Sequence, residues 1–402
     1  MNIIKKAYCR VFQFGFKIAI PVLPYRDPTV LKGVEEVPGI LKDQSRKCVM
    51  LVTDKTLRNA GVTKKLERAL KKERITFVVY DDVCPNPTID NIEEAVRLYR
   101  RNNCKALIGF GGGSSIDCAK AVGARIAYPE RSIEQMKGII KIWRRIPPLI
   151  AIPTTAGTGS EVTVASIVTD SRKKHKYMLS SFPLIPRYNV LDPEVTFSLP
   201  PSLTATTGMD AMTHAVEAYI GGSTTRKTRE LSKYAVKLIF ENIETAYKDG
   251  RNYEARKNML YAANRAGLAF SISYVGYVHA VAHSLGGQYG IPHGLANAVL
   301  LPIVLEDYGK CVYKKLAELA KEVNIAKEGV SDEVNAKIFI NEIRALNKRL
   351  GIPERLKGIR KADIPVMAGH ADKEGNPLYP VPRLMNAKEL ERYYYLVSED
   401  EK

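Results

Sequence analysis

The sequence predicts an α/β plus all-α protein: a doubly wound parallel sheet over residues 1–197, then an all-helical, metal-binding region over residues 198–402. Three observations predict it. In the first half, short apolar runs alternate with segments whose apolar residues recur at helical spacing, as strands joined by crossover helices do. After Ser198-Leu199-Pro200-Pro201 the strand-like runs stop, and the double proline marks a boundary. Beyond it, a carboxylate and several histidines stand at one-turn spacings within helical composition.

The elements follow in order. Val49 to Thr53 is a buried strand, Thr63 to Lys72 a helix with Leu66, Ala69 and Leu70 on one face, and Thr76 to Tyr80 a second strand. From Ile89 the residues Ile92, Val96 and Tyr99 fall on one helical face, and Ala106 to Phe110 forms a third strand running into Gly111-Gly112-Gly113. Ser115 to Ile126 is helical, and Pro148 to Ile152 and Asn189 to Leu191 are further strands. Lys227 to Tyr247 and Lys314 to Glu322 carry helical composition, and Gly375 to Pro382 is a late loop.

Six scattered cysteines with no CxxC pair argue against a disulfide framework and a zinc-thiolate site, and point to a reduced, cytoplasmic protein. The formal charge of +18 is spread along the chain and makes a surface that favours anions. It leaves open a basic binding protein for nucleic acid or anionic lipid, but no aromatic-interleaved basic motif supports nucleic-acid binding. The first 25 residues mix Lys5, Lys6, Arg10 and Lys17 with Phe12, Phe14, Phe16 and Ile18. Lys17, Pro21 and Pro24 break any signal-peptide core, and no stretch approaches the ~20 apolar residues of a membrane span. Packing against the body of the protein or a second subunit is the expected role of this segment, with a membrane surface as the alternative.

Gly109-Phe110-Gly111-Gly112-Gly113-Ser114 sits between a strand and a helix, where unpaired N–H groups can face a phosphate and glycine lets it approach the backbone. Asp54, at the end of the first strand, can accept from ribose hydroxyls and repel a 2′-phosphate, which favours NAD(H) over NADP(H). Taken alone it also reads as a helix cap. Pro153 to Ser160 adds hydroxyls and mobile backbone at the end of another strand.

Of six histidines, His279, His283 and His293 lie within fifteen positions. Asp210 and His214 stand at i and i+4, and so do His279 and His283, so that three short segments offer five candidate ligands. Imidazoles with one carboxylate suit Fe(II) or Zn(II). His175 and His370 stand apart and read as surface or capping residues. A nucleotide cradle beside an open metal site implies that an alcohol, ionised against the metal, passes hydride to nicotinamide, with a nearby non-coordinating histidine relaying the proton.

From about Cys48 to Leu384 the sequence resembles the iron-dependent, or group III, alcohol dehydrogenases. The resemblance rests on Gly111 to Asp117, Pro153 to Val162, Gly208 to Glu217 and His279 to Asn297, four motifs in family order. It implies a Rossmann-like cofactor domain of the dehydroquinate-synthase-like superfamily, an active site in the cleft between two domains, a homodimer, and interconversion of a primary alcohol and its aldehyde. It implies Asp210, His214, His279 and His293 as metal ligands, and His283 as the catalytic proton relay. Gly112, Gly113 and Ser114 would hold the pyrophosphate, with Asp54, Asn86, Asp117, Thr154, Thr155, Thr158 and Lys176 elsewhere along the cofactor. The nearest rivals are a polyol dehydrogenase and a dehydroquinate-synthase-like lyase. The N-terminal stretch departs from the family pattern and leaves open how that segment packs.

Overall fold

Strand burial explains the architecture of the cofactor-binding unit. In the computed structural model, which describes residues 1–43, 48–172 and 175–399, nine strands occur: β1 (Thr29–Leu31), β2 (Cys48–Val52), β3 (Thr76–Tyr80), β4 (Ala106–Gly111), β5 (Gly138–Ile139), β6 (Leu149–Pro153), β7 (Ala165–Asp170), β8 (His175–Ser180) and β9 (Tyr188–Val190). Six of them form one sheet in the order β1-β9-β6-β4-β2-β3, with every pair parallel. Every residue of β4 and β6 is buried, as expected where helices cover both faces of a sheet. The two-residue period divides β2 between two cores. Met50 and Val52 pack with Leu107 and the helix Ile89–Arg101, whereas Val49 and Leu51 pack with Ile108, Phe110 and the helix Lys64–Lys72.

From β2 the chain steps outward to β3, then returns across β2 to β4 and continues through β6 and β9, with β1 at the far edge. The winding therefore reverses between β2 and β4. In open α/β sheets the crevice at the carboxyl ends of such strands is where ligands bind. Asp54 follows β2, and Gly112 to Ser114 follow β4, which ends at Gly111. A smaller sheet, β5-β8-β7, carries the antiparallel pair β7 and β8. The strands β1, β5, β7 and β8 have no counterpart among the predicted elements. β1 and β5 are only three and two residues long, and β7 is buried at alternate positions only.

The chain divides into two compact units that differ from the 1–197 and 198–402 partition. The α/β unit is Pro24–Pro200 with Gly250–Leu260, and the helical unit is Met1–Leu23, Pro201–Asp249 and Tyr261–Lys402. The N-terminal segment joins the helical unit because it forms a helix, Ile3–Ala19, capped by Asn2 and tied to that unit's late loop. Arg10 donates to the carbonyls of Val381 (2.8 Å) and Pro382 (3.0 Å), and Gln13 to those of Pro377 (3.1 Å) and Tyr379 (2.7 Å). Pro201 opens the helix Pro201–Ile220, where a missing N–H costs nothing. That helix is buried continuously from Gly208 to Ile220, so it is a core helix without a polar face.

Candidate metal centre and dinucleotide cradle

Three helices of the helical unit supply the metal-site residues. Pro201–Ile220 places Asp210, His214 and Glu217 one and two turns apart on a buried face. Gly276 starts the helix Tyr277–Tyr289, which carries His279 in its first turn and His283 one turn on, and Gly290 ends it in the left-handed conformation. Pro292 then precedes His293, the first residue of the helix His293–Tyr308. Gly294 decides how close that helix comes. A Cβ there would overlap the Thr206 carbonyl oxygen, well inside van der Waals contact, and stand 3.4 Å from the Asp210 Cβ, so a side chain would push His293 away from Asp210.

One ligand atom from each of Asp210, His214, His279 and His293 lies within 4.8 Å of all the others. Around Asp210 the separations are 4.0 Å to His214 Nδ1, 3.9 Å to His279 Nε2 and 3.4 Å to His293 Nε2. A bound cation would draw these donors, now up to 4.8 Å apart, closer together around itself. Asp210, His214 and His279 are buried, whereas the His293 side chain is 36% exposed, so the cluster opens on that side.

His279 supplies the test of fit. Its Nδ1 meets Glu217 Oε2 at 2.6 Å, and the same carboxylate accepts the backbone N–H groups of Gly276 and Val278, each at 2.9 Å. A proton on Nδ1 leaves Nε2 with a lone pair, and that atom is buried without a hydrogen-bond partner among the described residues. Here that lone pair faces the Asp210 carboxylate 3.9 Å away, two electron-rich atoms whose repulsion a cation bound to both would relieve. Burial, reinforced by the neighbouring histidines, holds His279 well below its usual range, and burial pulls His293 down to about 4. Both imidazoles are therefore neutral, the ligating form. Burial pushes the Glu217 carboxyl up to about 7, against the pull of the N–H groups it accepts. Phe270 stacks on His214 with centroids 4.1 Å apart.

His283 is outside this set of four. Its Nδ1 is 2.6 Å from Glu374 Oε1, which also accepts from the Tyr379 hydroxyl at 2.6 Å, and its ring stacks on His293 at 4.9 Å. Burial lowers the His283 pKa, but the Glu374 carboxylate outweighs it and the net shift is upward. Glu374 is held below its usual range by His283 despite its own burial. Asn297, one turn beyond His293, donates through Nδ2 to Asp210 Oδ1 at 2.7 Å and lies 3.1 Å from His293 Nε2. His370 is exposed, and His175 is in β8 with its side chain outside the described residues.

In the α/β unit the residues assigned to the cofactor gather at the reversal point. Gly112 caps the helix Gly113–Ala127 without a side chain, and its missing Cβ would stand 3.5 Å from Thr155 Cγ2. A Cβ on Gly113 would meet Thr158 at 3.0 Å. Ser114 Oγ accepts the Asn86 N–H at 3.1 Å, and the Thr154 N–H donates to the Gly111 carbonyl at 3.0 Å. Asp54 Oδ1 caps the next helix by accepting from Leu57 N at 3.0 Å, and Leu57 in turn lies against Gly111. Lys176 pairs with Thr169, whose N–H bonds the Pro87 carbonyl, so it flanks the Asn86 loop. Burial lowers the Lys176 pKa. Asp117 differs from the rest. Both of its carboxylate oxygens are engaged inside the unit, one by the Ser160 hydroxyl at 2.6 Å and one by Ile167 N at 3.0 Å.

The reading of the sequence did not find Glu217, Glu374, Tyr379 or Asn297. Asn297 is one turn from His293 and could have been found by spacing, as could Glu217, which lies one turn from His214. Glu374 and Tyr379 carry no local signal.

A dinucleotide cradle and a cation site of neutral imidazoles with one carboxylate define the class of metal-dependent dehydrogenases. Residues 31–193 match the profile of iron-containing alcohol dehydrogenases, and residues 204–395 that of the C-terminal part of the Fe-containing alcohol dehydrogenase family. The 1,3-propanediol dehydrogenase of Citrobacter freundii is 38% identical over 379 residues, 93% of this chain and 97% of that protein. The lactaldehyde reductase of Escherichia coli K12 is 35% identical over 82% of this chain and 87% of its own length. Among solved structures, a 1,3-propanediol oxidoreductase superposes with a TM-score of 0.89 at 36% identity, over 93% of this chain and 99% of that one. A sulfoacetaldehyde reductase from Bifidobacterium kashiwanohense, in complex with NAD+, superposes with a TM-score of 0.83 at 28% identity, over 94% of this chain and 99% of that one. The chain belongs to the iron-containing alcohol dehydrogenase family. It is an enzyme, an NAD-dependent alcohol–aldehyde oxidoreductase of the metal-dependent kind, and the lyase and pure binding-protein alternatives give way.

Proposed function

We propose that Asp210, His214, His279 and His293 hold one divalent ion, Fe(II), and that the crevice at Gly112 to Ser114 holds NAD(H), for interconversion of a primary alcohol and its aldehyde. The observation that carries this is the buried, partnerless Nε2 of His279, fixed as a lone-pair donor by Glu217 and facing Asp210. The bound ion supplies Lewis acidity toward the substrate oxygen, and the nicotinamide takes or gives the hydride.

The chain's own residues supply the rest. Glu217 keeps the proton of His279 on Nδ1, and Asn297 fixes Asp210 by donating to Oδ1, the oxygen that also faces His279 and His293. His283, on the open side and paired with Glu374, is suited to pass the proton that the reaction aldehyde + NADH + H+ → alcohol + NAD+ consumes. Gly112, Gly113 and Ser114 leave room for the pyrophosphate at a helix start, with Asn86, Thr154, Thr155 and Thr158 around it. Asp54 sits at the end of β2 for the adenosine ribose, and Lys176 lies at the edge of the crevice. Asp117 acts by holding the cradle helix against Ser160 and Ile167. Iron over zinc rests on the family description, and a cytoplasmic homodimer on the family resemblance and the cysteine usage.

Relatives named for 1,3-propanediol and lactaldehyde make short hydroxyaldehydes the first substrates to try. The test is an anaerobic screen of such aldehydes against NADH and NADPH, with metal measured on the same sample. Turnover that tracks Fe(II) content at near-stoichiometric loading is the expected result. Equal turnover in metal-free protein would overturn the assignment.

A further inference from the structure

The N-terminal helix is mounted with its apolar face turned outward. Cys9, Gln13, Phe16 and Ile20 recur at one-turn spacing and form its inner face. Cys9, Gln13 and Ile20 are buried, and Phe16 meets Tyr274 edge-on at 4.9 Å. Gln13 and Arg10 clamp this face to four carbonyls of the 377–382 segment, and Lys5 pairs with Asp372 at 3.0 Å. The opposite face is the stripe Ile4, Tyr8, Val11 and Ile18, with Phe14 beside it and Val22 in the turn Ile20–Val22 that follows, and all six side chains are exposed. Ile4 is 81% exposed, Val11 71% and Phe14 66%. A continuous apolar helix face in water marks an interaction surface.

Charge selects the occupant. Residues 1–26 contain Lys5, Lys6, Arg10, Lys17 and Arg26 and no acidic residue, in a chain of net charge +18. Lys6, Arg10 and Lys17 follow one border of the stripe and Lys5 lies beyond the other. A second copy packed through the same face would bring these like charges together. Anionic headgroups would neutralise them while the stripe entered the headgroup–acyl boundary. No helix among the described residues is long and apolar enough to cross a membrane, so the fitting geometry is a helix lying in the plane of the surface. We infer that the helix Ile3–Ala19, with the turn Ile20–Val22 after it, is an interfacial anchor that docks this enzyme on anionic lipid surfaces through Ile4, Tyr8, Val11, Phe14, Ile18 and Val22.

The test is co-sedimentation of the full-length protein with vesicles of phosphatidylcholine alone or mixed with phosphatidylglycerol, at low salt. Wild-type protein should pellet with the anionic vesicles and stay in solution with the neutral ones. The variant Ile4→Asp/Val11→Asp/Ile18→Asp should stay in solution with both and keep its aldehyde reductase activity. The variant Lys6→Gln/Lys17→Gln leaves the stripe intact, so it tests the inference even if the triple variant fails to fold. At about 1 kcal/mol per basic residue near the surface it should bind about 30-fold more weakly. Absence of wild-type pelleting with anionic vesicles, or equal pelleting by a folded triple variant, would overturn the inference. So would sedimentation analysis showing that the stripe assembles copies of this chain while vesicles capture nothing.

Discussion

Glu217→Gln changes one atom in the carboxylate that orients His279. In the wild type, Oε2 accepts from Gly276 N and His279 Nδ1, while Oε1 accepts from Val278 N. A glutamine can place its one oxygen on the first pair, but its NH2 group then opposes the Val278 N–H. The change loses one backbone bond and makes the remaining two neutral. Bonds to charged acceptors are worth roughly 1.5–3 kcal/mol and neutral ones about 1, so above the raised Glu217 value, where the carboxylate is charged, the metal-free fold should lose roughly 2.5–7 kcal/mol. His279 also becomes a poorer donor through Nε2, and loss of such a partner typically weakens metal binding by roughly 10- to 100-fold. Anaerobic Fe(II) titration followed by calorimetry reads the binding term, and urea unfolding of metal-free protein reads the other. A variant that binds Fe(II) as the wild type does, with an unchanged unfolding midpoint, would refute the reasoning.

Other perturbations separate the remaining roles. Asp54→Gly should narrow the preference for NADH over NADPH in kcat/KM, because the carboxylate that repels a 2′-phosphate is gone; a wild type already indifferent to the two would remove Asp54 from the ribose. Gly113→Ala puts a methyl group 3.0 Å from Thr158 at the cradle, so KM for NADH should rise about tenfold or more with metal content unchanged; an unchanged KM would move the pyrophosphate elsewhere. The Glu374 carboxylate raises the pKa of His283, so Glu374→Gln should move the His283 limb of the kcat–pH profile to lower pH. The stabilising effect of this pair has two edges. It is lost as pH rises through the raised His283 value and as pH falls through the lowered Glu374 value, so Glu374→Gln should cost stability between those limits and little outside them. A profile that stays in place would detach His283 from the proton path.

The parts of the site built from local spacing were legible in the sequence. Asp210 and His214 one turn apart, three histidines in fifteen positions and the glycines after a buried strand all carry their geometry in their numbering. The distinction between His279 and His283 was not legible from spacing, because it is made by carboxylates 62 and 91 residues away, Glu217 and Glu374. Glu217, three residues after His214, stands at a spacing that could have marked it, although the helix Pro201–Ile220 is buried on all sides from Gly208 onward and has no amphipathic period to single it out. The N-terminal helix is not marked by apolar spacing for a related reason. Its apolar residues serve two opposite faces, so the sequence shows no single stripe. The short edge strands β1 and β5 fell below the length at which apolar runs are informative.

Metal analysis of two purified single variants tests the central claim most directly. His279→Ala removes a donor from a set of four and should be isolated without metal after Fe(II) loading and desalting. His283→Ala leaves the four donors in place and should retain metal close to one ion per chain, while turning over slowly with an altered pH profile. A metal-free His283→Ala beside a metal-replete His279→Ala would contradict the account, because it would make His283 the ligand and leave His279 as the residue that merely orients it.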